Sequence, residues 1–502
     1  MKIQERLLFS FFANIIKGAA LFATSALLAR GLQPETYGMY AFLLAISVSI
    51  CSFLDMGTSK AFYTFISKKN QSKYFFISYF LWVLAQFLVA IVCIYIIVPD
   101  SWINVIWKGH SRELALLAFI AIFFQVRIWL VISQIGESLR ETYKVQGLSV
   151  AIASIHLILI SSMYWLDIMK LSSIYYLIII EFVLAVWVSY IILKVNFSQP
   201  VKVSEGYFKQ YWAYCMPLIP YLWLGVLSEF ADAWLLQHYG GSIEQAYYSV
   251  AVQFSLVSLM ATTSILKILW KEVAEANENE DKQKIYQVYA KATHILFVFS
   301  AVVSGFLIPW ANEILTLLFG SAYVDGVVVM SIMLLYPIHQ SLGQIVGVMF
   351  MALEMTKAYV IINSVILISG IITAYFILAP SDAIVPGFGL ASNGLALKMV
   401  LLQIIGVNLS MWWLKKNNKL PHNLLFQFLS MSLFLILGYL VYLLINSVFL
   451  IGFAIIFQML IALIIYCLIA FILVYFLSSK LLKMEKDDLK RFGKSIYLSV
   501  RR

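Results

Sequence analysis

Seven charged residues stand inside stretches that are otherwise apolar: Lys17, Arg127 and Lys398 on the basic side, Asp55, Glu181, Glu229 and Asp232 on the acidic side. A charge at the centre of a bilayer costs about 2.5–3.5 kcal/mol on insertion scales, so such a group pairs with another, faces a wet interior, or binds something charged. The three bases have the chemistry to hold an anion, because ammonium and guanidinium groups can replace the water around phosphate oxygens. Lys17 is the strongest of them. With Asn14, Gly18 and Ser25 it makes one small, polar face of a helix whose other face is Leu, Ile and Phe. Arg127 has a competing reading as half of an ion pair with an intramembrane acid such as Glu181, and Lys398 has one as a side chain that snorkels to an interface. The acids have the chemistry to carry a proton or a sodium ion. Glu229 and Asp232 are three apart and share a helix face, and two carboxyls close together in a low dielectric make one of them hold its proton. Asp55 has the alternative of holding a helix end beside Gly57.

The elements that carry these groups follow from composition. Of 502 residues, 62% are hydrophobic and only 12% charged. Soluble domains average about 25% charged residues. Apolar runs of spanning length recur throughout, and the alternation over about 10 residues that marks a barrel is missing. The chain reads as an all-α polytopic membrane protein with about 14 transmembrane helices. The spans are expected near residues 8–30, 39–58, 75–98, 114–135, 146–166, 171–193, 211–236, 245–266, 293–318, 326–353, 358–378, 389–414, 423–445 and 449–477.

The formal charge of +10 would suit nucleic acid, but its distribution suits a membrane. Most Lys and Arg fall at the N-terminus, in the even-numbered connections and in the tail, and few (Arg30, Lys108, Arg112, Lys170) fall in the odd ones. The positive-inside rule then places both termini in the cytoplasm. The basic tail, 478–502, suits contact with anionic headgroups. Cys51, Cys93, Cys215 and Cys467 have no metal or redox spacing, the six histidines form no zinc motif, and no phosphate-binding Gly-x4-Gly-Lys loop occurs. No cofactor or metal is expected beyond a coupling H+ or Na+.

Moving parts are expected where backbone hydrogen bonds are lost or helices approach closely. Pro217 and Pro220 lie inside the seventh expected span, and Gly343 and Gly347 form a small-xxx-small pattern in the tenth.

An internal repeat is faintly visible. LLARGLQPETYGMYAF, from residue 27, and LLQHYGGSIEQAYYSVA, from residue 235, each give Leu-Leu, glycine, glutamate (Glu35, Glu244) and tyrosines before an apolar run. Six spans separate them, which suits two parallel six-helix lobes. The expected domains are an N-terminal lobe over 1–194, a C-terminal lobe over 195–416, two extra spans over 417–477, and the tail.

The first hairpin resembles the polysaccharide transporters of the superfamily that includes the multidrug-and-toxin extruders and the peptidoglycan precursor flippase. The resemblance rests on Asn14, Lys17, Leu27-Leu28-Ala29-Arg30, the turn from Gly31 to Gly38 with Tyr40, and Leu54-Asp55-Met56-Gly57. Pro217, Asp232 and Ala246-Tyr247-Tyr248 add to it in the second half. It implies alternating access of two lobes and a lipid-linked oligosaccharide cargo, such as an O-antigen repeat unit, in a bacterial cytoplasmic (inner) membrane. On that reading Lys17, Arg127, Lys398 and Asn14 line the path of the diphosphate, and partners are membrane lipids and other polysaccharide-assembly proteins. The rivals are a small-molecule exporter of the same superfamily and a membrane polysaccharide polymerase. The short odd connections offer little acid–base chemistry, so an enzyme is not expected.

Overall fold

The computed structural model describes residues 3–68, 73–193, 207–257, 259, 263–448, 455–477 and 481–482. The basic tail expected over 478–502 therefore lies outside the described residues, apart from Leu481 and Leu482. Every regular element among the described residues is a helix.

Eleven helices among the described residues are long and apolar enough to cross a membrane. The first, Phe12–Asp55, has 44 residues and holds two expected spans. It breaks at Gln33, whose φ of 60° and ψ of 164° leave the helical region. Pro34 follows and has no N–H to continue the ladder, and the Gln33 side chain donates back to the Arg30 carbonyl at 2.9 Å. Nine of the others fall on expected spans three to six, nine, ten, and twelve to fourteen, and Thr356–Leu378 falls on the eleventh. Expected spans seven and eight are the helices Ile219–Tyr239, which carries Glu229 and Asp232, and Gly241–Val257, which has 17 residues; neither is among the eleven. Pro217 and Pro220 do more than kink one helix. Tyr207–Cys215 stops, a turn over 216–218 intervenes, and Ile219–Tyr239 starts with Pro220 in its first turn, where the missing N–H has no intrahelical role.

The contacts divide the chain into two compact units. One comprises Met1–Ser249 with Leu367–Ser392, the other Val250–Ile366 with Asn393–Arg502.

In the first unit the long first helix packs on Thr142–Trp165 and on Ile219–Tyr239. Gly38 fixes one close approach: a Cβ there would sit 1.7 Å from the Ser242 carbonyl oxygen. The short helix Thr58–Lys68 follows a break at Met56 and Gly57, both at positive φ. Its Phe62 stacks on Tyr79 at 3.9 Å and on Phe75 at 5.6 Å. Arg112 opens its helix and reaches back to the end of the preceding span. It donates to the carbonyls of Ile94, Tyr95 and Val98 at 2.6–2.9 Å and to Asp100 at 2.6 Å. Those carbonyls have no helical partner of their own at a C-terminus.

In the second unit Lys282–Leu307 packs on Leu424–Val448 and on Tyr336–Ala352. The first crossing has no room for a side chain at Gly438, whose Cβ would lie 1.8 Å from the Gly305 carbonyl oxygen. Tyr466 of Ile455–Phe476 closes over the same crossing and donates to the Val302 carbonyl at 2.9 Å. The helices expected as C-terminal additions thus pack on Lys282–Leu307 through backbone contact.

Candidate functional site

The densest polar constellation of the first unit is built around Arg127. The span Arg112–Ser138 widens into a π-helical turn over Phe123–Ile128 that carries it. Such turns add a residue within a helix and re-aim its side chains. Arg127 is only 3% exposed. Its Nη2 lies 2.6 Å from Asp55 Oδ1 and donates to Thr58 Oγ1 and to Gln86 Oε1, each at 3.2 Å. Gln86 is itself oriented by its donation to the Leu54 carbonyl at 2.7 Å, and Trp82 donates to Thr58 at 3.2 Å. Burying two ions is repaid only where the pair is close and its remaining groups are hydrogen-bonded. Here Asp55, Thr58 and Gln86 satisfy Nη2, while the Nε of the same guanidinium is buried with no hydrogen-bond partner.

Asp55 serves both of its sequence readings. It closes the Arg127 pair, and it holds the turn at Gly57: its Oδ1 accepts from Thr58 Oγ1 and the Ser59 N–H, and its Oδ2 accepts from Ser59 Oγ at 2.6 Å. The competing sequence reading of Arg127, an ion pair with an intramembrane acid, offers Glu181 as an example. In the structure Glu181 pairs instead with His156, whose Nδ1 lies 2.7 Å from Glu181 Oε2, and both residues are buried. The other carboxylate oxygen of Glu181 is buried with no hydrogen-bond partner.

His156 was missed because the six histidines were searched for metal spacing. Among the described residues no group of three or more His, Cys, Asp and Glu could hold a metal ion. Hairpin depth would have found the pair. His156 lies 9 residues before the end of Thr142–Trp165, and Glu181 lies 10 residues after the start of Leu171–Leu193. Antiparallel neighbours joined by a short turn place such residues at one level.

Lys17 is half-buried and shares its polar face with half-buried Gly18, while Asn14 is exposed. Ser25, on the same helix, meets the Tyr37 hydroxyl at 3.0 Å. Glu229 is exposed and Asp232 half-buried, and the two interact electrostatically. In the connection before Arg112, Lys108 Nζ meets His238 Nδ1 and sits 4.1 Å from the centre of the Trp234 ring. Burial pushes the Lys108 amine and the His110 imidazole below their usual values.

The second unit holds Lys398, 2% exposed on Ala391–Asn418. It also holds a cavity of about 450 Å³ between Tyr336–Ala352, Thr356–Leu378 and Ala391–Asn418. Gly343 and Gly347 open onto it. A Cβ on Gly347 would touch only the Tyr359 ring, at 3.8–3.9 Å.

A bundle of apolar helices with ion pairs and polar side chains held inside it defines an integral membrane protein of the architecture shared by flippases and multidrug transporters. Its fold is similar to that of the solved structure "Lipid II flippase MurJ, inward closed conformation", with a TM-score of 0.68, 16% identity, and coverage of 94% of this chain and 99% of that one. It is also similar to an inward-facing multidrug resistance MATE family transporter of the MOP superfamily (TM-score 0.60, 14% identity, 84% of this chain and 98% of that one). A third similar fold is a MOP superfamily transporter from Pyrococcus furiosus, titled for the reverse polarity of its binding pocket (TM-score 0.58, 13% identity, 82% and 95%). Residues 5–270 match the family described as "Polysaccharide biosynthesis protein", and the chain belongs to that family. No curated protein matches the chain in sequence.

Proposed function

We propose that the protein is a flippase that carries a polyprenyl-diphosphate-linked oligosaccharide, an O-antigen or other surface polysaccharide repeat unit, across a bacterial cytoplasmic membrane by alternating access. Membership of a polysaccharide biosynthesis family supports a glycan cargo. Likeness of fold to a protein named as a lipid II flippase supports movement of a lipid-linked one. The observation that carries the cargo assignment is the presence of basic groups inside the spans: Lys17, Arg127 and Lys398. A diphosphate moving through hydrocarbon needs such groups in place of water. Lys17, with Asn14 beside it, is the group of the first unit that meets the diphosphate, and Lys398 is that of the second. Arg127 becomes available to the diphosphate when Asp55 releases the guanidinium it holds at 2.6 Å.

Asp55, Glu181, Glu229 and Asp232 are the groups through which an H+ or Na+ gradient drives the cycle. Glu181 is buried against His156 with one oxygen unpartnered, and a buried intramembrane carboxyl of this kind marks an ion pathway. Transport in vesicles that ignored imposed proton and sodium gradients would remove the coupling. Pro217 and Pro220, at the break before Ile219–Tyr239, act as a hinge, and the basic connections keep both termini cytoplasmic. Other polysaccharide-assembly proteins and membrane lipids are its partners. The likeness to multidrug transporters favours a second reading, a small-molecule exporter, and the intramembrane bases oppose it for a cationic drug because like charges repel.

The test is Lys17→Ala at matched expression, reading surface glycan and the lipid-linked repeat units of each leaflet. We expect loss of surface glycan with repeat units accumulating on the cytoplasmic leaflet. Normal glycan would remove Lys17 from the path. Repeat units that cross the membrane but stay single would point to a polymerase.

A further inference from the structure

We propose that the cavity of the second unit is a binding site for a neutral sugar ring, distinct in chemistry from the cationic groups assigned to the diphosphate. The inference rests on the flippase reading and adds where the uncharged part of the cargo is recognised.

The lining decides the ligand class. Four carboxamides, Gln340, Gln344, Asn363 and Gln403, face the space together with the side chains of Tyr336 and Tyr359. None of the described lining residues carries a charge. That argues against a site for phosphate, which calls for Arg or Lys, and leaves a metal or organic cation without a carboxylate to balance its charge. It also disfavours an apolar guest, because amides facing hydrocarbon lose their hydrogen bonds to water with nothing in exchange. A sugar hydroxyl donates once and accepts twice, and a carboxamide offers both functions, so the two match without any charge. The flat apolar faces of a pyranose suit the two tyrosine rings.

The amides are already held in place. Gln403 Nε2 donates to Gln340 Oε1 at 2.6 Å, and Asn363 Nδ2 donates to the Tyr359 carbonyl at 2.8 Å. The bonds use one function of each amide, so the oxygens of Gln403 and Asn363 and the nitrogen of Gln340 are the functions left for an occupant.

Sequence spacing built the space. Gln340, Gly343, Gln344 and Gly347 recur at the i, i+3, i+4, i+7 positions of one helix and so form one stripe, amide alternating with glycine. Gly406 faces the same space from Ala391–Asn418. At about 450 Å³ the cavity lies within the roughly 300–1,000 Å³ of small-molecule sites.

The experiment uses the full chain in nanodiscs and two probes: bare polyprenyl diphosphate, and the same lipid carrying a neutral disaccharide. Wild type is expected to bind the glycosylated lipid about tenfold more tightly, the worth of one or two net hydrogen bonds. Gly347→Leu, which pushes an isobutyl group into the cavity, and the pair Gln340→Leu with Gln403→Leu, which removes two of its four amides, should each bring the preference to within about twofold and leave the bare lipid's affinity unchanged. Gly347→Ala, whose methyl makes only ordinary contact with Tyr359, should keep the preference. The bare lipid reports folding in each variant; if Gly347→Leu loses it, the Gln pair decides. A preference that survives both changes overturns the proposal and leaves the cavity as a hydrated packing space. Equal binding of both lipids by wild type overturns it too, with the flippase reading intact. Binding of neither lipid overturns the flippase reading itself.

Discussion

Asp55→Ala should leave the Arg127 guanidinium buried with only the neutral oxygens of Thr58 and Gln86, each 3.2 Å away. Removing one partner of a buried ion pair costs about 3–5 kcal/mol. The Asp55 carboxylate is 18% exposed against 3% for Arg127, so water reaches the acid side of the pair and the cost belongs at the lower end, about 3 kcal/mol. Arg127→Leu should cost less, about 1–2 kcal/mol, because Asp55 keeps its bonds from Thr58 and Ser59 and its exposure. The double variant leaves no buried charge. It should therefore be more stable than the sum of the single losses by about 2 kcal/mol. The assay is denaturant unfolding in detergent, followed by tryptophan fluorescence, for the four proteins of the cycle. Additivity within about 0.5 kcal/mol would refute the reasoning, because it would mean that the two charges do not depend on each other.

Two further outcomes follow from the second unit. Gly438→Ala places a methyl 1.8 Å from the Gly305 carbonyl oxygen, and since neither partner there is a flexible side chain, the helices must part; a loss of about 1–3 kcal/mol in the same unfolding assay is expected, and wild-type stability would show that the crossing gives way freely. His422, in the connection after Ala391–Asn418, is held below its usual value of about 6.5 first by burial and then by the charge of Lys415. The unfolded chain then binds its proton first as pH falls, so stability present above about 6.5 is lost between there and the lower folded value. Unfolding midpoints measured from pH 7.5 to 5 should fall less in His422→Gln than in wild type; parallel profiles would remove His422 from the pH dependence.

The fold class was legible because hydropathy measures the transfer of a helix to lipid, and ten of the eleven apolar helices fell on single expected spans, the long first one covering two. Pairing was less legible for the same reason. Hydropathy marks Arg127 as costly and says nothing of which acid offsets that cost, so the sequence offered Glu181 as an example, whereas the π-helical turn carries a guanidinium that meets Asp55. Ile219–Tyr239 fell short of a clear span because Glu229 and Asp232 lower its apolarity, although its helical character was expected. The cavity went unread because Gly343 and Gly347 were both expected as places where helices approach closely, which holds at Gly343, against Gln403 and Val407, and not at Gly347. The amides at 340 and 344, at the positions that share their face, carried the signal that the stripe is polar and open.

Arg112 has a consequence for how the chain enters the bilayer. The carbonyls of Ile94, Tyr95 and Val98 end one span, and the guanidinium that satisfies them begins the next, 14 to 18 residues later. During synthesis the third span therefore leaves the ribosome with an unfinished end, and only the arrival of residue 112 completes it. The two spans are thus an insertion unit: the earlier helix settles when the later one begins to emerge. A nascent chain stalled with Arg112 still inside the ribosome would hold its third span less firmly than one stalled far enough on for Arg112 to have emerged.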